Sequence, residues 1–487
     1  MANAHFSPED LSDRFEFKQR FKNVAFGLIG VGLVLIILGA LFGGSHGHGD
    51  SHAEGQEHAA LAPSGDVHAV VDMDQVPEDQ GDEHGDSHAE DQADHGTGHA
   101  DTDSHADETH GESHGEAHAD GHGDDHGEAH AGGHGGEHGD GHAGGHHHKE
   151  PTMFTRIASN LLICGLYFLT LSMGALFFLA IHKVGNAGWH IAVRRVPEAI
   201  TSGYLPFGVI IMGAVFFFMG ELYEWVNIEP GTDAIIDAKR GYLNQPFWII
   251  RSVLFFGVWT LVAIYIRRQS LLQDQEGGLT HFGREQKISA FFVVFFAISY
   301  SLFAVDWIKS LEPHWFSTIF FVYIFAGSMV SAMITIYLIV SFLKQQGHMS
   351  YVNDAHLHDL GKYTFGFSVF WAYIWVAQYL LIWYSNIPEE GIYYVKRYRV
   401  EDSAYLGYSF MFYANLFINF ITPFLVLMTR NAKRKLATFL PLAMVVLYGH
   451  WHDLYLMVMP GAMGENPGLG VVEVGFLGWV AGVGSDR

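Results

Sequence analysis

The chain has 487 residues, of which 49% are hydrophobic and 14% aromatic against only 16% charged. With its long apolar runs, this composition excludes an ordinary soluble enzyme and predicts an all-α polytopic membrane protein. The formal net charge of −25 is not spread over that body: positions 45–150 hold 27 Asp and Glu against one Lys, and the remainder is close to neutral. The single cysteine, Cys164, excludes an internal disulfide, a CxxCH haem attachment and a four-cysteine iron–sulfur site. No haem and no iron–sulfur cluster is expected in this chain, and no nucleic-acid partner. Electron chemistry nearby must use a diffusible cofactor or another subunit.

Arg14, Lys18, Arg20 and Lys22 lead into an apolar run at Val24–Phe42. A run of about 19 apolar residues is long enough to span, and no small-residue cleavage site of A-x-A type follows it. Residues 1–44 therefore read as a cytoplasmic segment and a retained first transmembrane helix, in preference to a signal peptide. Positions 45–150 are His, Asp, Glu, Gly and Ala in irregular repeats (HADETHGESHGEAHADGHGDDHGEAH) and hold 22 of the 32 histidines. Too few apolar groups occur there to offset chain entropy, so the insert reads as disordered, with Asp66–Pro77 its one docking candidate. Its imidazoles suit loose binding of zinc, nickel or copper; a solvated acidic tether is the other reading.

Further spans are predicted at Ile157–Ile181, Ala199–Met219, Pro246–Ile266, Ile288–Val305, Phe316–Phe342, Thr364–Tyr384, Tyr405–Met428 and Leu436–Met459. About ten transmembrane helices result when the first run and a terminal one are counted. Residues 151–305 form a first four-helix bundle, 306–315 a periplasmic connecting turn, 316–460 a second bundle and 461–487 a partial terminal helix. Val471–Val483 is too short to cross a core of about 30 Å unaided. Alternate loops carry 17 and 8 Lys and Arg. The richer set includes the N-terminus, which places it in the cytoplasm of a bacterial inner membrane, with the insert and the 306–315 turn periplasmic.

Ionisable groups inside spans are costly and default to functional hypotheses. In Tyr448-Gly449-His450-Trp451-His452-Asp453-Leu454-Tyr455, His450 and Asp453 share one helical face and Tyr448, His452 and Tyr455 another. An imidazole beside a carboxylate suits a quinol site or proton relay, and histidines tied between helices are the plain alternative. Asp306 ends a span on the same side and either converges with that cluster or merely pairs with Lys309 or caps the turn. Trp307 and Trp315, flanking the turn, suit the lipid–water interface. Glu312-Pro313-His314 reads equally as a helix start, with Pro313 near its first turn. Glu198, Glu221, Glu224 and Arg251 mark either the ends of a half-channel or interface anchors. Trp371, Trp375, Tyr379 and Trp383, with Gln378 beside them, form a stripe that packs helices or walls a quinone ring.

Three stretches, AVDWIKSLEPHWFST with the following FVYIFAGSMVSAM, VRRVPEAI and GHWHDLY, resemble the ActF subunit family of bacterial alternative complex III, which is similar to NrfD/PsrC-type quinone-interacting membrane subunits. The likeness covers roughly residues 152–470. The His-rich insert falls outside it, and the shortened C-terminus departs from it. The resemblance implies ten helices in two four-helix bundles and an ActC-like homologous partner. It also implies an iron–sulfur/molybdopterin-like subunit and c-type cytochrome subunits that take electrons from menaquinol or ubiquinol. Asp306, His314, His450, His452 and Asp453 are the candidates it carries over. The alternatives are a purely structural subunit of such a complex and a metal-ion transporter. For the transporter the usual H-x-x-x-D or H-x-x-x-E pattern is missing, since position 454 is leucine.

Overall fold

The computed structural model describes residues 34, 152–398, 408–464, 470, 472–476 and 478. The first predicted span, the His-rich insert and Tyr405 fall outside them, as does most of the terminal segment. Ten helices matter for the site: α1 (Met153–Val184), α2 (Arg195–Val215, prolonged by turns to Leu222), α3 (Ala234–Lys239), α4 (Gln245–Glu276), α5 (Thr280–Trp307), α6 (Phe320–Gln345), α7 (Asp354–Ser385), α8 (Pro388–Tyr398), α9 (Tyr408–Leu427) and α10 (Leu436–Met463). No strand occurs among the described residues. Seven of the described helices are long and apolar enough to cross a membrane: α1, α2, α4, α5, α6, α7 and α9. α10 is as long as α5, but its middle carries His450, His452 and Asp453.

The helices outrun the apolar runs that announce them because their ends are capped by polar residues. Thr152 accepts from the Thr155 amide at 3.2 Å and starts α1. Asn244 accepts from the Phe247 amide at 3.0 Å, with Pro246 in the first turn of α4, where a missing N–H costs nothing. Asn353 caps α7 eleven residues before the apolar stretch begins. Asn386, at φ +48, closes that helix in the left-handed region.

α1 is central among the described helices. It is buried on nearly every side, as a helix apolar all round must be. It packs on α2 and α5 in one half and on α6 and α10 in the other. α4 lies against α5 and α2, while α7 lies against α6 and α9, and α10 against both α6 and α9. Small residues permit the central contact: a side chain at Gly174 would run into the carbonyl of Ser328 on α6. At the far end of the chain, residues 472–476 are helical. Glu473 is buried there, bound through both oxygens to Arg156 at 2.7 Å and to Asn160 at 3.1 Å.

The connection after α5 departs from expectation. A tight turn follows α5 at Lys309–Leu311, and α6 begins at Phe320, so Glu312-Pro313-His314 starts no helix. Trp307 and Trp315 are enclosed by protein instead of facing lipid headgroups. The Trp307 indole donates to Ser252 at 3.0 Å, and Trp315 stacks on Tyr393 with centroids 3.9 Å apart. An indole whose N–H or ring face finds a partner inside is better buried than at the interface.

Candidate functional site

Asp453 sits within α10 and is 3% exposed. Three neighbouring helices satisfy it. The Tyr323 hydroxyl of α6 donates to one carboxylate oxygen, joined there by the Asn415 amide of α9 at 2.7 Å. The Trp371 indole of α7 donates to the other oxygen at 3.1 Å. Among the described residues this buried carboxyl group is held by neutral donors, with no cation at ion-pair distance.

The way α9 delivers Asn415 is particular. Its backbone widens into a π-turn at Phe417–Ile421, where the Thr422 hydroxyl donates to the Phe417 carbonyl at 2.8 Å, just ahead of Pro423. Such bulges frequently mark functional sites. Asn419 donates to Asn415 at 2.6 Å and to the Gly449 carbonyl at 3.0 Å. Only glycine fits at position 449, because a β-carbon there would overlap the side chains of Asn419 and Ile418. Asn415 and Asn419 were missed in the sequence. Their signal was a pair of amides four residues apart within an apolar run.

His450 lies one turn before Asp453. It is buried edge-on to Trp371 at 5.9 Å, with Nδ1 toward Gly327. Among the described residues neither ring nitrogen has a hydrogen-bond partner. It lines a cavity of about 20 Å³ together with Tyr167, Thr170, Ser331 and Asp453. A second cavity of about 20 Å³ lies on the other side of Asp453, bordered by Gln378, Tyr394 and Arg397. Each is the size of a single water. His452 points elsewhere: its Nε2 donates to the Met411 carbonyl at 2.9 Å, and its ring stacks on Tyr448.

Asp306 does not join this cluster, and the two sites have no residue in common. Nor does Lys309 pair with it. Arg251 of α4 takes both Asp306 oxygens at 2.9 Å and donates to the Tyr242 carbonyl at 3.0 Å, with its guanidinium 3.8 Å from the Tyr242 ring and 4.2 Å from Phe247. Glu198 meets α4 at the opposite end, held by Arg195 at 2.6 Å and by Ser270. Ser270 is nineteen residues beyond Arg251, about 28 Å along the helix. Glu221 accepts from Thr155 at 3.3 Å, and Glu224 lies in the turn that follows α2.

His314 pairs with Asp233 at 2.5 Å. Burial pushes the Asp233 carboxyl upward, but the amides of Ile236 and Ile235 and the His314 ring outweigh it and hold its pKa below the usual range. That stability is therefore present above the ordinary carboxylate pKa of about 3.9 and lost as pH falls through the depressed folded value. Asp233→Ala removes the cap of α3 and is expected to cost about 1 kcal/mol in a detergent melt, with Asn much milder.

A third clamp had no sequence expectation. Arg397 of α8 is 2% exposed and reaches Glu312 at 2.7 Å, the Tyr393 carbonyl at 2.7 Å and the Leu456 carbonyl of α10 at 2.9 Å. Burial works against its charge, yet Glu312 and the Tyr393 ring prevail and raise its pKa. In the aromatic stripe, Trp371, Trp375 and Tyr379 stack in sequence, and Gln378 is buried and donates to Tyr394 at 3.1 Å. Trp383, 64% exposed, falls outside the packing.

Among the described residues no group of three or more His, Cys, Asp or Glu is placed to hold a metal ion. No protein-family model matches the chain, and no curated protein sequence matches it at a significant level. Fold and site define a multi-pass helical membrane protein with a buried His–Asp pair between helices.

Proposed function

We propose that this chain is an integral membrane subunit of a quinol:electron-acceptor oxidoreductase of the alternative complex III kind. In that reading the ten spans form two four-helix bundles plus terminal helices. α1, α2, α4 and α5 make one bundle and α6, α7, α9 and α10 the other, an assignment supported by which helices touch. Electrons pass from menaquinol or ubiquinol to iron–sulfur and haem c subunits, with an ActC-like subunit beside this one in a bacterial inner membrane. The His-rich insert lies in the periplasm.

The observation that carries the reading is the pair His450 and Asp453. A buried imidazole without partners among the described residues stands one turn from a buried carboxyl group, with a water-sized space on each side of that carboxyl. Such a pair can accept, hold and pass a proton, which is what quinol oxidation coupled to proton translocation requires. A purely structural subunit would differ in one respect: the pair would titrate without consequence for turnover.

Isolation of the chain from its native membrane in mild detergent tests the assignment. Haem absorbance and quinol-dependent cytochrome c reduction are expected to accompany it. If it is isolated alone and moves zinc or nickel across vesicles, the metal-transport reading replaces this one. Removing positions 45–145 is expected to leave turnover within about twofold of the parent, because a solvated tether contributes little to the transition state.

A further inference from the structure

We propose that the small cavity lined by His450 and Asp453 binds one water molecule, positioned by the hydroxyls of Thr170 and Ser331, and that this water is the link through which the two groups share a proton. The inference rests on the relay reading of Asp453 above and adds the member that connects its two ends. His450 and Asp453 are three residues apart on α10, yet no hydrogen bond joins them among the described residues. His450 is 4% exposed, and its Nδ1 is directed toward Gly327, where a β-carbon would come within 3.2 Å of it. A neutral imidazole has one donor and one acceptor nitrogen. Leaving both unmet in an apolar interior is costly, so a ring buried in this way is expected to meet ordered water.

The cavity meets the conditions for such a water. A buried water needs about 10–15 Å³ and a few polar partners. The space here is about 20 Å³, and Tyr167 and Thr170 of α1, Ser331 of α6 and both α10 groups line it. The Thr170 hydroxyl donates to the Tyr167 carbonyl at 3.3 Å, and the Tyr167 hydroxyl donates to the Leu447 carbonyl at 3.3 Å, so each oxygen keeps lone pairs with which to accept. Asp453 has room as well. A carboxylate offers about four acceptor positions. Tyr323 and Asn415 use two on Oδ1, and Trp371 uses one on Oδ2. The position left is therefore on Oδ2, beside the indole that also packs on His450 with centroids 5.9 Å apart. Protonated Asp453 gives its proton to the water as the water gives another to the acceptor nitrogen of His450. The water is restored, the carboxyl becomes a carboxylate and the ring an imidazolium; the reverse shift returns both. A divalent cation would need about six oxygen ligands, and Asp453 is the one carboxylate lining the space.

The test uses the full-length protein in the complex in which it is isolated, imaged by cryo-electron microscopy at a resolution that shows ordered water. A peak is expected within hydrogen-bond distance of one His450 ring nitrogen and of Asp453 Oδ2. In the double variant Thr170→Val with Ser331→Ala, which removes two hydroxyls and little volume, that peak is expected to vanish. The same variant is expected to lower kcat for quinol oxidation about tenfold with KM for quinol unchanged, a smaller loss than that of Asp453→Asn because the carboxyl survives. Thr170→Ser with Ser331→Thr keeps both hydroxyls and is expected to turn over near the parental rate. An empty cavity in a map that resolves other buried waters overturns the proposal, as does a direct hydrogen bond between His450 and Asp453. A double variant with parental kcat overturns it too. The two readings fail separately. If Asp453→Asn cripples turnover and the cavity is empty, the relay stands and the water link is wrong. If the water is present and Asp453→Asn turns over normally, the relay is lost and the link falls with it.

Discussion

Asp306→Ala is expected to destabilise the protein by about 3–5 kcal/mol, the cost of removing one partner from a buried ion pair. Arg251 would remain enclosed with only the Tyr242 carbonyl and two ring faces to receive its charge. The damage would spread, because the backbone around Asp306 anchors other groups. The Trp248 indole donates to the Asp306 carbonyl at 2.8 Å, and the Tyr223 hydroxyl donates to that of Trp307 at 2.9 Å. The double change Arg251→Met with Asp306→Leu is expected to recover much of the loss, since it leaves no uncompensated charge. Thermal unfolding in mild detergent measures both. The control is Lys344→Ala at the exposed Lys344–Asp354 pair, for which a change below about 1 kcal/mol is expected. If Asp306→Ala melts no lower than that control, the pair does not hold α4 to α5.

These partners show why the chain was only partly readable. Helical spans were legible because apolar residues persist for about eighteen positions or more, and a local pattern needs no knowledge of neighbours. For the same reason the His450–Asp453 face was legible: three residues apart on a helix fixes a shared side. Partners from distant segments were not. Arg251 and Asp306 are 55 positions apart, and Glu312 and Arg397 are 85 apart, with nothing local to match them. α8 falls between the predicted spans Thr364–Tyr384 and Tyr405–Met428, where no helix was expected. Its buried face of Tyr393, Tyr394 and Arg397 mixes polar and aromatic groups, so hydropathy alone does not mark it. The π-turn in α9 was equally hidden. The tryptophans beside the turn misled for a physical reason, since the amphipathic ring that suits an interface also suits a core offering one acceptor.

The sharper functional prediction concerns Asp453 and its neighbours on α10. Asp453→Asn keeps the shape of the side chain and abolishes its titration, so a proton-relay role predicts a fall of about 10²-fold in quinol-dependent cytochrome c reduction by assembled complex. Asp453→Glu is expected to restore part of it, since the carboxyl survives in a site whose donors from Tyr323, Trp371 and Asn415 must shift to meet it. Asp453→Ala is less informative, because it strands those donors and costs stability as well. His450→Gln tests the partner. Among the described residues the ring has no hydrogen-bond partner, so its loss is expected to spare the melting temperature while lowering turnover. His452→Ala separates the two histidines: losing the bond to Met411 is expected to cost about 1 kcal/mol of stability and to reduce turnover only as far as α10 loosens from α9. A chain in which Asp453→Asn assembles normally and turns over at the parental rate, with proton coupling intact, has a buried carboxyl that serves packing alone. The structural-subunit reading would then replace the relay.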